Sequence, residues 1–300
     1  MKNIVIEAKK LCKKYKYGEA LSNLDISIEK GSIYGLIGQN GAGKTTFFKI
    51  IMGLIHQTSG EIYIHGTNIH KKIGSIIETP SYYPNMNVAQ NMEMVRLSRG
   101  IKGKECINKC LKEVGLEDTG TKKASKLSLG MKQRLAIAMA LVSEPEILIL
   151  DEPTNGLDPI GIVEIRNLLM KINNQRGVTI LISSHILSEV YQIASCFGIM
   201  KKGKLIEELT RDELSKKAEN HLEIKVGDLI KAQGILDAEF KGISYKILQD
   251  GRIQIYSQLE NAGLINMKLS QNNVIVDSIN QVGDDLEKYF IKVSGGAYNA

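Results

Sequence analysis

Between an apolar run, Ile33–Ile37, and a stretch of helical character at 45–54 stands Gly38-Gln39-Asn40-Gly41-Ala42-Gly43-Lys44-Thr45. The octet fits G-x-x-x-x-G-K-[ST], and nothing else in the chain constrains the fold as tightly. Glycines let the backbone wrap closely and turn several N–H groups toward one anion. The helix that follows adds the partial positive charge of its N-terminus. Lys44 has the reach for the β- and γ-phosphates of a nucleotide, and the Thr45 hydroxyl can ligate Mg²⁺. A chance glycine-rich turn is the alternative, and the strand before it and the helix after it weigh against that.

The rest of the first two-thirds keeps to the architecture such a loop requires. Helical patterns at 88–99, 104–115, 129–142, 162–173 and 186–194 alternate with apolar strands at 147–150 and 178–183. Strands that are apolar throughout belong to a parallel sheet covered on both faces. The expected fold class is therefore α/β. After about Glu208 the texture changes. An alternating strand at 222–226, a helix at 228–236, two strands flanking Asp250-Gly251, a helix at 259–269 and a strand at 274–279 follow. That order, β-α-β-β-α-β, fits a small ferredoxin-like α+β domain, with a terminal helix at 285–293. The expected division is 1–210, with a helical subdomain at about 85–142, and a small C-terminal domain at 211–300.

Charge and composition narrow the function. Residues 1–210 carry 28 basic against 20 acidic side chains, and residues 211–300 carry 11 against 13. No block of five like charges occurs, so a solvated surface is the plain reading. Aromatic residues make up 5% and tryptophan is absent, which speaks against base stacking, so no nucleic acid is expected as a partner. No apolar run approaches the length of a membrane span, and the N-terminus has no apolar leader. Four scattered cysteines make no disulfide framework, and Cys106 and Cys110, one helical turn apart, read as packing. A cytoplasmic location is the expectation.

Two further elements carry chemistry. Ile147-Leu148-Ile149-Leu150 runs into Asp151-Glu152. Asp151 is placed to hold Mg²⁺ through water, and Glu152 to polarise an attacking water. Leu127-Ser128-Leu129-Gly130-Met131 precedes a helix, and alone it is an ordinary N-cap. Downstream of the phosphate loop it resembles the signature motif of ATP-binding-cassette (ABC) ATPases, usually written LSGGQ. Ser128 and Gly130 match, while Leu129 and Met131 depart.

The resemblance covers roughly residues 1–210. It implies a P-loop ABC ATPase domain and ATP bound by Gly38, Gln39, Asn40, Gly41, Ala42, Gly43, Lys44, Thr45 and Thr46. Tyr15 resembles the aromatic that stacks on adenine, with core packing as the alternative. Glu152, His185 and Lys44 are implied as catalytic, His185 looking like the switch histidine at the γ-phosphate. Ser128, Gly130 and Asp158 are implied to face a second copy, so that a homodimer sandwiches two ATPs. Thr45, Asp151 and Glu78 are the implied metal residues. Glu78 stands where the family usually has glutamine; a surface acid is the alternative. With Ser81-Tyr82-Tyr83-Pro84-Asn85 and Leu286-Glu287-Lys288-Tyr289-Phe290, it is similar to the ATPases of bacitracin-resistance and lantibiotic-immunity exporters.

The expected function is thus ATP hydrolysis that powers export of a substrate, an antimicrobial peptide by best match, through separate permease subunits at the inner face of the membrane. One rival is a soluble ABC ATPase acting on nucleic acid or the ribosome. A single cassette and the absence of sustained heptads count against it. The other is a non-catalytic nucleotide-binding regulator, against which Lys44, Asp151, Glu152 and His185 stand.

Overall fold

The computed structural model describes residues 3–64, 73–217, 221–248, 250–282 and 286–294. The chain divides into two compact units, Met1–Arg211 and Asp212–Ala300.

The first unit opens with three antiparallel strands. β1 (Ile4–Tyr15) and β2 (Gly18–Glu29) form a hairpin, β3 (Ile33–Ile37) leads into α1 (Lys44–Ile51), and β4 (Ser59–Ile64) returns to pair with β1. β5 (Ile73–Ile76) precedes three helices, α2 (Val88–Ser98), α3 (Glu105–Glu113) and α4 (Leu129–Leu141), which pack on one another. Then come β6 (Ile147–Asp151), α5 (Pro159–Arg176), β7 (Thr179–Ser184), α6 (Leu187–Tyr191), β8 (Cys196–Lys201) and β9 (Lys204–Thr210). The large sheet has the order β5-β6-β7-β3-β8-β9, parallel except for β9.

Burial explains the layering. Every residue of β3, β6 and β7 is buried, as central parallel strands demand. Ile6, Leu11, Leu24 and Ile28 of the antiparallel sheet and Leu36, Ile149 and Leu181 of the parallel sheet close around Phe47 and Phe48 of α1. Burying one such side chain is worth about 1.5–3 kcal/mol, so this cluster fixes the helix that begins at Lys44.

The helix expected at 162–173 runs longer, from Pro159 to Arg176. Asp158 caps it, proline is tolerated in its first turn, and Gly177 in the left-handed region ends it. The antiparallel sheet and the β8–β9 hairpin are elements that the sequence reading did not anticipate.

The second unit follows from α7 (Arg211–Lys217) with β10 (His221–Val226), α8 (Leu229–Glu239), β11 (Tyr245–Ile247), β12 (Arg252–Ile255), α9 (Ala262–Gln271), β13 (Val276–Val282) and α10 (Leu286–Ser294). Its antiparallel sheet has the order β11-β12-β10-β13. Leu222, Ile224, Ile253 and Ile255 of the sheet pack with Leu236 of α8 and with Ile265 and Leu269 of α9. This is the ferredoxin-like α+β arrangement.

Candidate nucleotide site

The C-terminal ends of β3, β6 and β7 lie side by side, and a cleft of about 590 Å³ opens there. Ala20, the run from Asn40 to Thr46, Glu78, Asp151, Glu152, Asn155 and His185 line it. In a parallel sheet the carboxyl ends of the strands are where loops converge to bind ligands.

The loop is built by close backbone contact. At Gly43 φ is 108°, and a Cβ there would fall 2.6 Å from the Ala20 carbonyl oxygen, so no other residue fits. The chain then enters α1, whose first N–H groups have no partner within the helix and line the cleft with Lys44, Thr45 and Thr46.

The polar groups form one connected set. Lys44 is 5% exposed and donates to the carbonyl oxygens of Gly38 at 2.5 Å and Gln39 at 3.4 Å. Its ammonium lies 3.2 Å from Glu152 Oε1. The other oxygen of Glu152 is 2.5 Å from His185 Nδ1. Thr45 Oγ1 donates to Asp151 Oδ2 at 2.7 Å. Asp151 Oδ1 accepts the Ser183 hydroxyl at 2.5 Å, and the same hydroxyl accepts the Glu152 N–H at 2.9 Å. Glu152 sits at φ 50°, in the left-handed region that non-glycine residues seldom occupy, immediately after β6 ends.

Glu78 lies on the rim, its carboxylate 2.6 Å from the Lys49 ammonium. That hydrogen bond holds Lys49 above its ordinary lysine range. Among the described residues no group of three or more His, Cys, Asp or Glu could hold a metal alone. The oxygens of Thr45, Asp151 and Glu78 suit Mg²⁺, which takes one or two carboxylates and completes its shell with phosphates and water.

The structure thus brings together Lys44, Thr45, Thr46, Glu78, Asp151, Glu152 and His185 around the glycine loop. Tyr15 stands at the end of β1, 49% exposed and outside the cleft lining, so it does not pack in the core. The Lys13 ammonium lies 5.1 Å from its ring centre. Ser128, Gly130 and Asp158 lie at two helix N-termini outside the cleft. Ser128 Oγ accepts the Met131 N–H that opens α4, and Asp158 accepts the Gly161 N–H that opens α5. Ser183, Asn155, Ala20 and Lys49 were not foreseen. For Ser183 the signal is the register that sets it opposite Asp151, which the sequence does not state.

A family model described as ABC transporter matches residues 21–155. The chain is 43% identical to the bacitracin transport ATP-binding protein BcrA of Bacillus licheniformis, over 97% of its own length and 98% of the relative's. It is 44% identical to the lantibiotic transport ATP-binding protein SrtF of Streptococcus pyogenes, over 69% of this chain and 92% of that one. Among solved structures, CbiO1 of Clostridium perfringens, part of an ABC transporter complex, superposes with a TM-score of 0.65 at 30% identity, covering 71% of this chain and 90% of that one. A dimeric ATP-binding cassette in a post-hydrolysis state with ADP and phosphate gives 0.62 at 28% identity, covering 69% and 98%. With such identity carried from end to end, the chain belongs to the ABC-transporter ATP-binding proteins, subunits that bind and hydrolyse ATP to drive transport.

Proposed function

We propose that this ATPase powers the removal of a peptide antibiotic, bacitracin foremost, through separate permease subunits. The observation that carries this reading is coverage. Identity to the bacitracin transport proteins extends over 97% of the chain, second unit included, whereas identity to the lantibiotic relative spans 69%. The test is a strain lacking the gene, challenged with bacitracin and with a lantibiotic. Restored resistance to bacitracin by the wild-type gene, and not by an E152Q gene, is expected; equal sensitivity with and without the gene ends the reading.

The site residues take these roles. Gly41 and Gly43 let loop N–H groups meet the phosphates of ATP, and Lys44 exchanges its carbonyl acceptors for phosphate oxygens. Tyr15, half exposed on the hairpin, offers a ring face for adenine. Thr45 and Asp151 would hold the metal, Asp151 through water, with Glu78 as a further ligand. Mg²⁺ would supply positive charge to the bound phosphates. Glu152 takes the proton of the attacking water, and His185, hydrogen-bonded to it, holds its carboxylate in place and meets the γ-phosphate.

Ser128 and Gly130 face the nucleotide of a second copy, and Asp158 lies at the seam between the two copies. Support comes from the exposed apolar residues around them, Leu129, Ile160 and Val163, which suit a surface that closes on a partner. The loop at 82–86, with Tyr83 exposed, receives the permease at the membrane's inner face. The unit from Asp212 onward is a separate domain that supports the dimer or regulates it.

A further inference from the structure

Glu78 stands where the metal of the nucleotide is proposed to bind, but its carboxylate is already engaged. Residues 77–79 turn sharply: the Thr79 N–H donates to the Ile77 carbonyl at 2.9 Å, with Glu78 at the apex at φ 63°. A three-residue turn centred on a positive-φ residue other than glycine is the strained form. It carries Glu78 onto the rim of the cleft instead of continuing β5.

Opposite it runs α1. Lys49 lies four residues after Thr45, so both fall on one face of that helix. Its ammonium is 2.6 Å from Glu78 Oε1. The ion pair ties the helix that carries the phosphate loop to the turn that carries Glu78. Lys49 is absent from the cleft lining, unlike Lys44. A carboxylate alone on this rim would repel the phosphates of an incoming nucleotide, and an adjacent ammonium offsets that repulsion.

The geometry points to Lys49 as a positioning residue. It holds the Glu78 carboxylate balanced on the rim while no metal is present, and yields it when the metal arrives with ATP. This rests on the reading of Glu78 as a metal ligand.

The experiment uses the full chain as wild type, K49M, K49R, E78Q and K49M/E78Q. Binding of a fluorescent ATP analogue is measured in EDTA and across a Mg²⁺ titration, with thermal melts of each protein. Exposed ion pairs couple by up to about fivefold, so in EDTA K49M should weaken binding about threefold. K49R should restore most of that affinity, and K49M on the E78Q background should cost nothing further. Saturating Mg²⁺ should abolish the coupling. An equal loss from K49M in both backgrounds, or no loss at all, overturns the inference, because Lys49 then acts on nucleotide directly or not at all. Coupling in EDTA that Mg²⁺ leaves undiminished overturns the release step. If E78Q also matches wild type across the titration, the reading of Glu78 as a ligand fails with it.

Discussion

Ser183 uses one hydroxyl twice, donating to Asp151 and accepting from the Glu152 N–H. It therefore sets the relative placement of two neighbouring carboxylates that have different proposed tasks. Replacing Ser183 with alanine removes both bonds inside a buried strand and should destabilise the fold by about 1–3 kcal/mol. Phosphate release should fall about tenfold or more, with ATP affinity kept; turnover equal to wild type would show that this hydroxyl positions nothing. For Glu152 itself, Gln keeps the shape and loses the basicity. E152Q should bind ATP, lose about 10² to 10⁴ in turnover, and elute as a dimer with ATP on sizing. A third prediction concerns Cys110, whose thiol burial pushes up to about 11. The folded state resists forming the thiolate, so stability holds below the unfolded value near pH 9 and declines as pH rises from there toward 11. The decline is at most about 1.4 kcal/mol per pH unit. Melting curves across pH 8 to 11 should show a steeper loss for wild type than for Cys110→Ala, and parallel curves would exclude a titration here. The phosphate loop and the Asp151-Glu152 pair are legible because each follows a local pattern, whereas His185 is singled out only by the family resemblance. The bonds joining Lys44, Glu152 and His185 were not, since they arise only when β3, β6 and β7 are laid side by side.

Among the elements, the turn before α2 shows how a loop is made rigid without a core of its own. Asn91 is fully buried on the first turns of α2 and bonds to the backbone of Tyr83, Met86 and Asn87. Asn87 and Gln90 close a capping box at the helix start. The loop thereby holds Tyr83 in solvent at 54% exposure. If it meets the permease, Tyr82→Ala with Tyr83→Ala should keep ATPase activity in solution while recovery with permease-containing membranes drops; unchanged recovery would place the contact elsewhere. Most helices follow from apolar spacing and caps, but α5 extends three residues beyond its expected span at each end and α7 was not anticipated. Nor were the strands of the antiparallel sheet, and β1 shows why. Its pairing shifts register around Lys10, which sits at φ 46°, and β2 has a matching irregularity at Asn23, at φ 49°. Each bulge moves the apolar face by one residue, so strict alternation, the signal that a period-two pattern offers, is broken halfway along.

At the scale of the whole molecule, the boundary between Arg211 and Asp212 separates all the proposed nucleotide-site residues from the second unit. A chain ending at Arg211 should therefore stay soluble and bind ATP with affinity within about twofold of the full chain, while dimer formation or resistance in cells declines. An insoluble fragment, or a folded one that no longer binds, would mean that the second unit completes the first. The two units were legible as a change of texture near residue 210, because parallel-sheet strands are apolar throughout and the later strands alternate. The order of the large sheet was not legible, and it carries a consequence for synthesis. β3, which presents the phosphate loop, is hydrogen-bonded between β7 and β8, made far later in the chain. Behind the loop, the turn joining β8 to β9 completes the cradle: Gly203 N–H donates to Ala42, and its carbonyl accepts from Ser22. Such distant pairings form slowly and expose strand edges until they close. A ribosome must therefore release almost the whole first unit before its earliest-made functional residues acquire a shape that can hold ATP, and until then the nascent chain depends on whatever shields an unpaired β3 from its neighbours in the cell.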